Sequence, residues 1–449
     1  MFSSFFSSSL PKLPFNWSSS AKPIDITKIQ VHDVETSAEK RDRRLKHLLK
    51  LNHANFSILY DHRRFHNHTP HILGSAYILG GSADHLTEIY EHAVKEGHEP
   101  WEDSPGEIAL HDYRDFLGKR EYQRAWVDFF EDQLVDHQYD WKLVAAHFLF
   151  ERGDKGSDNV YPLFSCLAAG LGHPLIHLGY AYELSSREVG MEALGLAATC
   201  YDPKLAALLE SNPLSTSSLQ PTFNLFEILN KVRTDSRLDP YFPKLGNDNL
   251  SRLLSEPQLL EILQEHFNAW QITNPKYAFE QSQRLAVTLL ISTSPAPPTN
   301  GHGYDFFLLH VLTTSHACRI LIPFLPAEYH VTLLREWFLI TLALYIAQLR
   351  PNLDLAMEAI EGYDTRKKTW DDCGKLALEG EHRFDEHYVK GIRAIQEASK
   401  VWTGTDWWFE HACVKFAVEF EEWKGFSAED TNVKKDENGR ARRGSLGVL

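Results

Sequence analysis

Little in this sequence is built on sulfur. Five cysteines occur in 449 residues (Cys166, Cys200, Cys318, Cys373 and Cys413), odd in number, widely spaced and without a CxxC pair. That usage speaks against a disulfide framework or a zinc–thiolate site and for a reducing compartment, so the expected location is the cytoplasm. Cys373 follows Asp371 and Asp372, neighbours that raise a thiol pKa and argue against a nucleophile. Positive charge is also in deficit, with 46 Lys and Arg against 61 Asp and Glu and a net charge of −15. This balance argues against nucleic acid or an anionic membrane as the partner. Long apolar runs are missing. The longest, WFLITLALYIA at 337–347, has 11 residues, about half of the ~20 that a bilayer span needs. The first twenty residues, MFSSFFSSSLPKLPFNWSSS, have neither a charged n-region nor an unbroken apolar stretch, so no signal peptide is expected. Glycine-rich phosphate loops are lacking too. ILGGSADH at 78–85 has neither the spacing nor a preceding strand, which leaves no place for a Rossmann domain.

What is present is a helical pattern. Hydrophobic residues make up 43% and aromatics 12% of the chain, enough for a large core. Segments such as DHLTEIYEHAVKEG, YQRAWVDFFEDQLVDH, DWKLVAAHFLFERG and HVTLLREWFLITLALYIAQLR place apolar residues three and four apart. Alternating β-branched runs are almost absent. The expected fold is all-α, a single large helical bundle-like domain enclosing a buried metal site. A serine-rich flexible arm is expected over 1–34, the catalytic domain over 35–426 and a charged, disordered tail over 427–449. Proline- and serine-rich loops punctuate 211–222 and 292–303 without isolating either half.

The histidines carry the chemistry. LGHPLIHLGYAYE, residues 171–183, opens a buried helix with Pro174 near its first turn, where a missing N–H is harmless. His173 and His177 stand one turn apart on it. HILGSAY from His71 echoes HLGYAY from His177, which pairs those two and leaves His173 at the helix start as a cap or supporting group. His310 lies in the apolar YDFFLLHVLTTSHA. His387 lies in DEHYVKGIRAI, with Lys390 three residues on along the same face. Any one of these could be a hydrogen-bonded core histidine, and His66, His68, His302 and His316 are further candidates. Together, imidazoles from separated apolar helices suit iron, zinc or copper.

HNHTPHILGSAYILGGS, GLGHPLIHLGYAYE, GYDFFLLHVLTTSHA and DEHYVKGIRAI together resemble the fungal questin oxidase-like family, over roughly residues 50–425. The resemblance implies a helical oxygenase of aromatic polyketide pathways that opens the central ring of an anthraquinone. It also implies, in part of the family, a non-haem iron site built from histidines. The matching positions are His71, His177, His310 and His387, with Lys390 beside them and His173 as the alternative to His177.

Oxygen cleavage of a C–C bond is normally mediated by a flavin or a redox metal, and without a dinucleotide fold Fe²⁺ with O₂ as co-substrate is favoured. No carboxylate ligand is obvious. Asp385 and Glu386 point about 100° away from their chain neighbours on a helix, and Glu386 is the next candidate should Lys390 not serve. Lys390 could pair with Glu386 at i, i+4; carbamylated by CO₂, it becomes an anionic oxygen donor instead. Tyr77, Tyr180, Phe306 and Phe307 are the candidate walls of a pocket for a flat phenolic tricycle. The expected partner is a small aromatic polyketide, with no nucleic acid and no membrane, and the oligomeric state stays open. The rivals are an NADPH-dependent Baeyer–Villiger-type monooxygenase, a metal phosphohydrolase using His32–Asp33 or His111–Asp112, and a metal-free helical protein-binding scaffold.

Overall fold

A computed structural model of the protein describes residues 23–95, 97–151, 163–210, 219–246, 248–294 and 303–426. The expected tail at 427–449, residues 1–22 of the expected arm, His302 and most of the two expected loops lie outside the described residues. The fold is all-α. Among the described residues eighteen α-helices make up the body, and strand is confined to two small ladders. Leu59–Tyr60 pairs antiparallel with Phe65–His66, and Gly303–Asp305 pairs parallel with Glu422–Lys424.

The centre is the helix Phe306–Leu321, every residue of which is buried. It packs against Ala169–Leu184, Pro275–Ile291, His330–Ala347 and Glu386–Val401. A helix this rich in apolar residues, with only histidines, small hydroxyls and Arg319 between them, presents no charged solvent face and sits in the middle of the bundle. Each Leu or Val it buries, such as Leu308, Leu309, Val311 and Leu312, contributes on the order of 1.5–3 kcal/mol. Its start is fixed by Asp305, whose carboxylate accepts the N–H of Leu308 at 2.8 Å. Phe306–Phe324 and Ala327–Ala347 are long and apolar enough to cross a bilayer, but 94% of each window is buried inside the protein.

Two local features aim side chains at the centre. In the helix Ala169–Leu184, Gly170, Leu171 and Gly172 all adopt left-handed backbone (φ 55°, 57° and 76°), so the regular helix begins only at His173 and Pro174. A Cβ on Gly172 would lie 2.2 Å from the Thr314 side chain, which is why glycine is required there. The helix Glu386–Val401 is capped by Asp385, which accepts from His387 N and Tyr388 N at 2.9 Å each. Asp385 also accepts from the Trp423 indole at 2.8 Å, tying the strand Glu422–Lys424 to this helix.

The expected arm is docked from residue 23 onward. Ile24, Ile29 and Val34 are buried, and His32 N donates to Glu183 O at 2.7 Å.

Candidate metal centre

Four elements converge at the buried middle of the bundle. The strand and helix start around residues 65–71 deliver His66, His68 and His71. The bend at 170–172 delivers His173, Phe306–Leu321 delivers His310, and Glu386–Val401 delivers His387 and Lys390. One nitrogen from each of His68, His310 and His387 can be chosen so that all lie within 4.8 Å of one another. His173 joins them, with its Nε2 2.6 Å from His68 Nε2 and its ring centroid 4.9 Å from that of His310.

The second nitrogen of each ring is more informative. His173 Nδ1 is 2.6 Å from the Gly170 carbonyl, which the left-handed bend turns toward it. His310 Nδ1 is 2.9 Å from the Phe306 carbonyl. His387 Nδ1 and His68 Nδ1 are 3.2 and 3.3 Å from the same Glu386 oxygen. In each case an oxygen acceptor faces Nδ1, which fixes the proton there and leaves Nε2 as the lone-pair side. His310 Nε2 is buried with no hydrogen-bond partner among the described residues. Burial holds His66, His68, His71, His173 and His310 well below the ordinary imidazole pKa, so these rings are neutral at neutral pH. A cluster of pre-oriented imidazoles, with the Nε2 atoms of His68 and His173 meeting at 2.6 Å and that of His310 bare, fits a borderline divalent metal such as iron.

Lys390 enters the same site. Its Nζ is buried without a hydrogen-bond partner among the described residues, and Glu386, its alternative i, i+4 partner, instead contacts His68 and His387. Burial drags the ammonium down to about 8, against the opposing pull of Glu386 and Asp385. A small cavity beside it, with room for about one water molecule, is lined by Ile176, Tyr180, Thr313, His316, Ala317, Ile320 and Lys390.

The remaining candidates separate clearly. His71 and His177 face each other, Nε2 to Nδ1, at 2.9 Å, and His177 Nε2 meets Glu192 Oε2 at 2.8 Å. Both nitrogens of His177 are therefore engaged by protein groups. The pairing of His71 with His177 is present as a contact, while His173 stands in the cluster. Phe306 lies 4.4 Å from the His387 ring and 5.1 Å from the His310 ring, centroid to centroid, and Tyr180 stacks on His71 at 5.0 Å. Phe307 is one ring further out, against Phe306 and Phe426. Tyr77 points elsewhere and donates to Asp42 at 2.7 Å. The sequence offers His68 only as a further candidate and gives no sign of Glu192. The close spacing of His66, His68 and His71 was the available signal for the first; for Glu192, contacts between distant helices decide, and no local pattern marks it.

Comparison with known proteins identifies the family. The family model described as questin oxidase-like matches residues 65–395. The chain is 27% identical over 383 residues to the Baeyer-Villiger oxidase AgnL3 of Paecilomyces divaricatus, covering 79% of this chain and 78% of that protein. It is 25% identical over 389 residues to the oxidoreductase AflY of Aspergillus parasiticus, covering 80% and 73%. It is 22% identical over 373 residues to the questin oxidase of Aspergillus fumigatus, covering 79% and 80%. The matched span begins beside the His66 strand and ends past Lys390, so it takes in every side chain of the cluster. The chain therefore belongs to the questin oxidase-like family of oxidoreductases.

Proposed function

We propose that the chain is a non-haem iron oxygenase that uses O₂ to open the central ring of an anthraquinone-type polyketide. The observation that carries this reading is the set of four histidines, His68, His173, His310 and His387, each with Nδ1 tied to an oxygen acceptor and Nε2 turned inward. The relatives' names, a questin oxidase and Baeyer-Villiger oxidases among them, supply the substrate class. These four residues would hold the metal, which would activate dioxygen when bound.

Lys390 is the proposed fifth donor. Its lowered pKa leaves a share of the amine uncharged near neutrality, the form that takes up CO₂ to give a carbamate. The carbamate would bring one negative charge among neutral imidazoles, where Glu386 is already engaged by two histidine N–H groups. His177 then stands beside the metal rather than on it, because its nitrogens meet His71 and Glu192 and none faces the cluster, and His71 is tied to it through Nε2. Phe306 and Tyr180 offer ring faces to a flat phenolic substrate, and burial of the cluster excludes bulk water from it.

The names of several relatives favour a second reading, a Baeyer–Villiger monooxygenase drawing on NADPH. Oxygen uptake with a panel of hydroxyanthraquinones, with and without NADPH, separates the two. Ring opening with one O₂ consumed per product and no need for NADPH supports the first reading. Strict dependence on NADPH rejects it.

A further inference from the structure

Behind the histidine cluster, five side chains from five helices form one unbroken hydrogen-bonded string. His71 Nε2 meets His177 Nδ1 at 2.9 Å, and His177 Nε2 meets Glu192 Oε2 at 2.8 Å. Glu192 Oε1 meets His53 Nδ1 at 2.8 Å, and His53 Nε2 meets Glu131 Oε1 at 3.1 Å. The Glu131 side chain is 36% exposed and those of Glu192 and His177 are 3% and 1% exposed, so the string runs from the surface to the centre.

The directions of these bonds follow from chemistry. An ionised carboxylate only accepts, so His177 must donate from Nε2 and His53 from Nδ1. His53 stands between two carboxylates and donates to both, as an imidazolium. Were His177 to donate from Nδ1 as well, His71 would have to carry its proton on Nδ1, a buried N–H with no acceptor among the described residues; the arrangement that avoids this cost has His177 accepting at Nδ1 and His71 donating from its own Nε2. The bare atom left at the inner end is His71 Nδ1, buried and without a hydrogen-bond partner among the described residues. The His71 ring lies 5.2 Å from that of His68 and stacks on Tyr180.

We propose that Glu192, backed by His53 and Glu131, is a positioning residue that locks His177 and His71 in one tautomer each and so presents His71 Nδ1 as an acceptor for a hydroxyl group of the bound ligand. The acceptor role rests on the reading of the substrate as a hydroxylated aromatic; the tautomer lock does not. This use of Glu192 accounts for a buried carboxylate that the metal cluster does not touch.

The test is ¹⁵N NMR of the full-length, histidine-labelled protein loaded with zinc as a diamagnetic stand-in, with His71 and His177 assigned by His71→Gln and His177→Gln. The wild type should give a single His71 tautomer protonated at Nε2. Glu192→Met removes the acceptor at similar volume and should give a mixture. Glu192→Gln should restore the single form, because its carbonyl can still accept from His177 while its amide turns to His53. A merely structural Glu192 would not distinguish Met from Gln in this readout. Should Glu192→Met fail to fold, His177→Leu removes the partner of His71 directly and should give the same mixture. A single, unchanged His71 tautomer in Glu192→Met or His177→Leu overturns the proposal. Binding of 1,8-dihydroxyanthraquinone, followed by its visible absorbance, should weaken about five- to tenfold in Glu192→Met, the loss of one hydrogen bond. Equal affinity in wild type and Glu192→Met overturns the acceptor role. No binding by the wild type counts against the substrate reading, while the tautomer result still decides the lock.

Discussion

At the scale of single residues, the decisive property of each histidine is what its second nitrogen touches. His173 and His310 have Nδ1 on a backbone carbonyl and Nε2 toward the other cluster rings, where His173 meets His68, whereas His177 spends its two nitrogens on His71 and the Glu192 carboxylate. His173→Ala and His310→Ala should therefore abolish metal retention through gel filtration, while His177→Ala should keep most of it; metal analysis of the three variants checks this. Lys390→Arg should lose metal or turnover, since a guanidinium keeps the charge but forms no carbamate. His310, His387 and Lys390 were visible in the sequence because an ionisable group inside an apolar helix needs a reason to be there. His68 was less visible, since it stands just before the helix Thr69–Ile78 in a polar stretch. The string behind the site also sets a pH dependence. Burial alone would lower the His53 pKa, but hydrogen bonds to Glu131 and Glu192 raise it to about 10. Burial alone would raise the Glu192 pKa, but bonds from His177 and His53 lower it to about 2. The raised histidine stabilises the fold fully below about 6.5 and loses this as pH rises through 10; the depressed carboxylate stabilises it fully above about 4.5 and loses this as pH falls through 2. Thermal melting of the wild type should peak between those limits. Glu192→Gln should flatten the profile on both flanks.

At the scale of elements, the bend at 170–172 governs the site. A histidine at the start of a straight helix would have its Nδ1 near solvent or the preceding turn; three left-handed residues instead bring the Gly170 carbonyl back onto His173. Gly172→Ala should cost roughly 2–4 kcal/mol, combining left-handed strain with the clash against Thr314. It should also lower metal retention by displacing His173, and a thermal melt alongside metal analysis separates the two effects. The sequence made the helix after Pro174 legible through its proline and apolar spacing. It did not reveal the bend, because glycines before a helix are compatible with many turns and tertiary packing selects one. The capped start of Glu386–Val401 was easier to read, since Asp385 followed by an apolar-periodic helix is a strong local signal.

At the scale of the whole molecule, composition and periodicity sufficed for the all-α bundle, because apolar residues three and four apart leave few alternatives. They did not place the stretch before Val34. Residues 23–34 have no periodicity, yet Ile24 and Ile29 insert into the body and Ile24 N donates to His330 Nδ1 at 3.1 Å. Ile24→Ala and Ile29→Ala should each cost roughly 2 kcal/mol, at the low end for a buried aliphatic truncation, as read by denaturant unfolding. The bundle brings histidines from distant segments to one centre, where they share one arrangement of bare and bonded nitrogens. Metal analysis of the full-length protein purified from iron-replete cells tests that claim most directly. The expected result is roughly one equivalent of iron per chain, lost on His310→Ala. Active protein that carries zinc, or no metal at all, would contradict it.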